Sequence, residues 1–447
     1  MMALTTLTTD FLQFSREAAA KGDLFAAYRL LVSAVENDPG DAQSWYELGE
    51  RLEGFKKHPA AVEAYYRAAA INPEHKTLVN LGLNLGLVGR FGEARRVLEQ
   101  AIDADPTKVQ GYLQLAQVLY ASGMPSIDAA RRAVVLDPDL PIAHLQLAFS
   151  LMTCGHWLEG FREHEWRFQY ALPEYLHYPY PLWRGEETGR LVVCSEQGLG
   201  DSIQMMRYLG ATSNRAERLI WMCHREMYDL AKRWALQIDL ATIEIIPMPA
   251  PLPDADAFCP MLSLPVALGI ERPEGSVYIM SPQHGRGDLL NVGIVWAGSP
   301  NHQNAQYRDM PLTALLPLVE IPGARFYSLQ VGAGQIQLDE QGAHGLISDL
   351  SGRLSDMADT VDQLARLDLV ISVDTAVAHL AGAMGKQVFM IVNQRARDWR
   401  WGRHGVATPW YREMRIFARA LDEDWGPVVT RVAHAVRDIV GDQGMPF

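Results

Sequence analysis

Residues 369–386 read LVISVDTAVAHLAGAMGK. The run Leu369 to Val373 is short and almost wholly apolar, as expected of a strand buried on both faces. Asp374 and Thr375 interrupt it. Thr375 to Met384 then reads as a helix, and Gln387 to Val392 as another strand. Strand, polar turn, helix and strand at this spacing predict a parallel sheet with helices on its faces.

The same alternation extends outward from this stretch. Residues 292–296 form an apolar run that ends in Ala297-Gly298-Ser299-Pro300. Helices are expected over 312–319 and 355–367, and strands over 325–329 and 346–348. Residues 415–417 and a helix over 428–440 close the chain. Upstream, residues 190–195 (RLVVCS) read as a strand, Glu196-Gln197-Gly198-Leu199-Gly200-Asp201 as a glycine turn, and 202–209 as a helix. Strands at 219–223, 243–247 and 257–258 and a helix over 225–234 follow, with loops at 247–253 and 272–287. The expectation is two doubly wound α/β halves in tandem, joined near residue 285 and facing across a cleft. Ligands in such sheets bind beyond the carboxyl ends of the strands.

The first third follows a different period. Pro39, Pro73, Pro106 and Pro138 recur at intervals of 34, 33 and 32 residues. Around them, small residues such as Gly49, Gly82 and Ala116 keep fixed offsets from larger apolar ones. A period near 34 predicts stacked helix pairs, each with an apolar face that it cannot bury alone. In the 32-residue unit the turn around 122–125 is expected to be shortened. The segment 155–183 is rich in aromatic residues, including Trp157, Phe161, Tyr175, Tyr178 and Trp183. It reads as a capping helix plus linker or, alternatively, as a sugar-stacking surface.

Composition narrows the function classes. The 447 residues carry a net charge of −13, and both halves of the chain are net negative, which argues against a nucleic-acid partner. No apolar run is long enough for a membrane span. The first residues do not read as a signal peptide. Cys154, Cys194, Cys223 and Cys259 are too widely spaced for a zinc ribbon or a disulfide framework, so the expected compartment is the cytoplasm.

Residues 1–150 carry the tetratricopeptide spacing and resemble that repeat family. Residues 196–208 (EQGLGDSIQMMRY), 293–301 (GIVWAGSPN), 327–330 (YSLQ), 369–386 and 398–401 (DWRW) are similar to the repeat-fused glycosyltransferases related to the heptosyltransferase, or glycosyltransferase 9-like, family. The layout resembles that of bacterial flagellin glycosyltransferases. The resemblance implies an α-solenoid followed by an α/β GT-B fold of two Rossmann-like domains. The expected boundaries are 1–170 for the repeats, 171–287 for the acceptor-side domain and 288–447 for the nucleotide-sugar donor domain. It further implies transfer of sugar from a nucleotide-sugar, as substrate rather than cofactor, to hydroxyl groups of a protein acceptor such as flagellin held by the repeat groove. Alternatives are a transferase of lipopolysaccharide or other surface polysaccharide, and an inactive repeat scaffold. A lysine-containing donor loop found in many heptosyltransferases is not evident near residues 299–308.

The candidate residues follow from these turns. Gly198 and Gly200 permit either a tight turn or close approach of a ligand. By the resemblance, Asp201 is the base that deprotonates the acceptor hydroxyl; otherwise it is a helix N-cap. Glu196, on the same turn, is the fallback base. On the donor side, Asp374 suits sugar or ribose hydroxyls, or else caps the helix. Thr375 and the N–H groups of Ala376 and Val377 suit phosphate at a helix start. His379 lies on the same helix face, or is a core histidine. Gly298 and Ser299 form a second phosphate-loop candidate or a plain turn. Arg308 is placed to neutralise the leaving group or is an exposed loop residue, and Gln330 is a further donor-side candidate. Asp254-Ala255-Asp256 spells DxD but lies in a Pro-rich loop of the acceptor half, so no catalytic metal is expected.

Overall fold

The computed structural model describes residues 2–170, 178–240, 243–282, 287–302 and 304–441. Tyr175 and the expected junction near residue 285 lie outside these residues. By internal contacts the chain divides into two compact units, Met1–Ser150 and Leu151–Phe447.

The first unit is a stack of helix pairs. Met2–Ala20 pairs with Leu24–Asn37, Ala42–Gly54 with His58–Ile71, His75–Leu87 with Phe91–Ala104, and Val109–Ala121 with Ile127–Leu136. The prolines act through the residue before them. Asp38, Asn72, Asp105 and Asp137 each precede one of the four periodic prolines, and each ends a helix with ψ between 87° and 102°. A proline ring excludes helical backbone from its predecessor, so the sequence period becomes a structural one. Asp23 and Asp41 start helices by accepting the N–H groups of Ala26 and Ser44, both at 2.9 Å. Close helix approach accounts for the small residues. A Cβ on Gly49 would sit 2.6 Å from the Tyr65 ring, and one on Gly82 would sit 2.4 Å from Leu98.

One expectation is corrected here. In the 32-residue unit the turn is not shortened. Ser122 to Ser126 separate the two helices, and the second helix, Ile127–Leu136, has 10 residues against 14 in the two preceding units. The missing residues therefore come out of the helix and not the turn.

The second unit holds two sheets. The strands are β1 (Thr188–Cys194), β2 (Ala216–His224), β3 (Ile243–Met248), β4 (Ala257–Pro260), β5 (Leu290–Val295), β6 (Ala324–Ser328), β7 (Ile347–Asp349), β8 (Leu369–Val373), β9 (Gln387–Asn393), β10 (Ala407–Thr408) and β11 (Tyr411–Arg419). Among the described residues the first sheet has the order β3-β2-β1-β4 and is parallel throughout. The second has the order β10-β11-β9-β8-β5-β6-β7, parallel except for the β10–β11 edge. Strand order reverses between β1 and β4 in the first sheet and between β5 and β8 in the second.

Both α/β halves belong to the one unit 151–447. Arg207, on the turn Met206–Tyr208, clips them together. It donates to the backbone oxygens of Glu274 at 2.6 Å and Trp410 at 3.1 Å, and its guanidinium lies over the rings of Tyr278, Trp410 and Tyr411. Trp157 and Phe161, from the helix Trp157–His164, pack edge-on against Trp399 and Trp410. These aromatic residues of the 155–183 segment are buried packing surface, not an open face for sugars.

Candidate functional site

The two order reversals put four turns at the carboxyl ends of central strands, where doubly wound sheets bind ligands. After β1 comes the turn 195–201. After β5 comes 296–301, after β8 comes 374–375, and after β9 comes the segment leading to Trp399–Trp401. All four carry residues singled out in the sequence.

In the β1 turn, Gly198 precedes the helix Leu199–Met205, and Asp201 is that helix's third residue. Asp201 is therefore not the N-cap. Its Oδ2 reaches back to accept the Gly198 N–H at 2.8 Å. Its Oδ1 pairs with Nη2 of Arg400, 199 residues away on the other half. Arg400 also donates to Asp398 Oδ1 at 2.9 Å and to Gln204 Oε1 at 2.7 Å, and lies 4.0 Å over the Trp399 ring. Burial pushes the Asp201 carboxyl above its ordinary range, and Arg400 and the Gly198 N–H pull it back. Burial works against the charge on Arg400, but Asp398 and Asp201 outweigh it and hold the guanidinium protonated.

Gly200 makes room for a protein side chain. A Cβ there would sit 2.8 Å from Cδ2 of His379. His379 is buried, shares a hydrogen bond of 2.8 Å with the Tyr411 hydroxyl, and lies 5.1 Å from the Trp401 ring centre. Burial, reinforced by Arg400, holds its pKa well below the usual histidine range, so the ring is neutral at pH 7. His379 is thus a buried wedge between the halves. Its Nε2 lies 3.8 Å from Asp374 Oδ1.

Asp374 accepts Nη2 of Arg308 at 3.2 Å, and the same nitrogen donates to the Asp374 backbone oxygen. Arg308 is therefore tied to Asp374 and is not a free loop arginine. Thr375 caps the helix Ala376–Ala383 without a side-chain cap hydrogen bond; its hydroxyl pairs with Ser372 at 2.9 Å. The Ala376 and Val377 amides thus open a helix whose first turn takes no bond from the cap side chain, beside the Arg308 guanidinium. Open amides at a helix start suit an anion in general; here Arg308 is already paired with the Asp374 carboxylate.

Three candidates are corrected. Glu196 is buried and held by Arg167 through both carboxylate oxygens, at 2.9 and 3.1 Å, and it also accepts the Leu262 N–H at 2.9 Å. Three N–H donors, two of them from one guanidinium, set Glu196 in a buried structural ion pair, one contact more than Asp201 receives. Gln330 is buried and braces the β5 turn. Its Oε1 accepts from Trp296 and Ala297 at 3.1 and 2.9 Å, and its Nε2 donates to the oxygens of Ala297 and Val331. Gly298 donates its N–H to Asp309 Oδ1 at 2.9 Å, so it is committed to a turn that leaves Ser299 exposed. Asp254 and Asp256 flank Arg190 in an outer loop. Among the described residues, no group of three or more His, Cys, Asp or Glu could hold a metal ion, and no helix is long and apolar enough to cross a membrane.

No family model matches the chain. Protein FlbA of Caulobacter vibrioides is 25% identical over 478 residues, an alignment covering 94% of this chain and 76% of that protein. That similarity extends over both units. Among solved structures, MamA of Desulfovibrio magneticus is similar at 21% identity and a TM-score of 0.32, covering 36% of this chain and 92% of that one. YrrB, a TPR protein with an unusual peptide-binding site, is similar at 15% identity and a TM-score of 0.33, covering 37% of this chain and 87% of that one.

The sequence reading assigned no role to Arg400, Asp398, Asp309, His224 or His302. Arg400 and Asp398 lie in the quoted DWRW stretch, a signal that was in view. His302 stands in the loop after Ser299, within electrostatic reach of Asp374, Asp398 and Asp201. His224 ends β2, also feels Asp201, and has a buried Nε2 without a hydrogen bond. It borders a cavity of about 740 Å³ at the carboxyl edge of the first sheet, lined by Tyr178, Gln197, Met222, Met248 and Leu252 among others.

Proposed function

We propose that the chain is a metal-independent glycosyltransferase of GT-B type that moves a sugar from a nucleotide-sugar to a protein hydroxyl, with flagellin as the candidate acceptor. The observation that carries this reading is the meeting of two unlike turns. Asp201, a carboxylate whose pKa is raised by burial, ends the first sheet's switch point. It is linked by Arg400, and by His379 against Gly200, to the second sheet's switch point, where Arg308 stands at the open start of the helix Ala376–Ala383.

In this reading the donor diphosphate lies at the Ala376 and Val377 amides beside Arg308. The acceptor hydroxyl lies at Asp201. Its oxygen bonds to the anomeric carbon as its proton passes to Asp201, and the bond from that carbon to the diphosphate oxygen breaks. Arg308 and the helix amides take the charge that develops on the leaving group. The helix-pair array supplies a surface for a peptide acceptor.

The test is intact-mass measurement of candidate acceptor proteins co-expressed with the chain. A mass increase equal to whole sugar units, absent with Asp201→Asn, is expected. Unchanged masses for the acceptors, together with no hydrolysis of any nucleotide-sugar by the purified chain, would leave the scaffold reading in its place.

A further inference from the structure

The β10–β11 edge of the second sheet borders a cavity of about 540 Å³ between the 394–406 segment, β11 and the helix Trp425–Gly441. In a chain of net charge −13, its lining gathers four arginines, Arg397, Arg403, Arg415 and Arg431, beside His404 and His434, with Asp438 as the carboxylate among them. Arg431 is balanced by Glu423 at 2.9 Å. Arg397, Arg403 and Arg415 have no ion-pair partner among the described residues.

Arg397 is the sharpest anomaly. It is buried, and burial lowers its pKa to about 10 with no carboxylate to offset the cost. Its Nη2 donates to the backbone oxygens of Trp401 at 2.7 Å and Gly405 at 3.3 Å, but its Nε is buried and bonds to nothing. The Nε and Nη2 of Arg403 are in the same condition. Buried guanidinium donors without acceptors are costly. These inward nitrogens are out of a ligand's reach, but no carboxylate offsets the charge they carry, and an oxyanion in the cavity does so through the exposed Arg415 guanidinium and the remaining Arg403 nitrogen. The cavity volume is that of a small-molecule site, and Val406 and Ile416 add an apolar wall.

We propose that this cavity binds a soluble, multiply charged phosphate ligand through Arg397, Arg403 and Arg415. Its lining includes neither Asp374 nor Arg308, so it is separate from the Asp374–Arg308 turn. The inference does not depend on the transferase reading.

The experiment measures the melting temperature of the full chain against sodium pyrophosphate at constant ionic strength, with sodium chloride as the control. A saturable rise of roughly 2–5 °C is expected, since a ligand that binds only the folded state stabilises it by mass action. Arg403→Gln and Arg415→Gln alter side chains at least partly open to solvent, and each is expected to remove most of the rise. No rise, an equal rise with chloride, or a full rise in both variants overturns the proposal; the last result would place the anion elsewhere. Vesicles of phosphatidic acid in phosphatidylcholine form a second arm. Binding to them without a pyrophosphate response would also overturn the soluble ligand.

Discussion

Asp201 is held by a backbone N–H on one oxygen and by Arg400 on the other, and this arrangement sharpens what its substitution should do. Asn at this position still accepts the Gly198 N–H but takes no proton. Asp201→Asn is expected to lower transfer by about 10²–10⁴-fold in kcat with little change in donor affinity. Some stability is lost as well, because Arg400 keeps Asp398 but loses one of two carboxylates. Arg400→Gln tests the same pair from the other side. Without the cation that now opposes burial, the Asp201 carboxyl rises further, so the acidic limb of the rate–pH profile moves to higher pH. A limb that stays in place in Arg400→Gln would show that another group sets it.

Buried histidines give a second residue-scale expectation. Burial holds His379 and His164 well below the unfolded value near 6.5. The unfolded chain therefore binds more protons as pH falls, and stability is lost below that value, by at most about 1.4 kcal/mol per pH unit for each histidine. Their contribution is complete above about pH 6.5. Urea unfolding of the second unit at pH 7.5, 6.5 and 5.5 should show this decline, and His379→Gln should flatten it by one histidine's share. An undiminished slope in that variant would place the titration elsewhere.

At the scale of elements, the helix pairs were legible because each is built from contacts close in sequence. Gly49 is where that legibility becomes testable. The Tyr65 ring that it faces is fixed by a hydrogen bond to Glu53 at 3.0 Å, so it cannot swing away from an added methyl group. Gly49→Ala is expected to cost about 1–3 kcal/mol through overpacking, reduced by the roughly 1 kcal/mol that alanine gains over glycine in a helix. Gly54, in the same helix, has open space around it. Gly54→Ala should be neutral or stabilising. Thermal melts of the two variants decide the matter, and equal shifts would mean that Tyr65 yields. The strands and their turns were legible for the same local reason. The exception in the 32-residue unit arose because a repeat's length alone does not say which of its parts is shortened.

At the scale of the whole molecule, the division at Ser150 and Leu151 guides truncation. Residues 141–447 retain the whole helix Pro141–Thr153 and all the candidate chemistry. This truncated chain is expected to hydrolyse the nucleotide-sugar slowly while failing to modify an intact acceptor protein. Activity on the intact acceptor equal to that of the full chain would remove the helix pairs from acceptor selection.

By itself the sequence determined the helix-pair period, the strand–turn–helix alternation and the position of each candidate turn. These features depend on residues a few places apart, whose side-chain spacing is set by helix and strand geometry alone. It could not say which candidates were free to act. Glu196 stood as the fallback base until Arg167, 29 residues away, closed on both of its oxygens. Gln330 looked like a ligand contact until the β5 turn claimed its amide. His379 read as either a donor-side or a core histidine until Gly200, from the other half, packed against its ring. Arg400 acquired its meaning only by meeting Asp201. A buried polar group is spent or spared by partners that strand order and packing bring to it, and strand order was not legible in a pattern that every parallel α/β sheet shares.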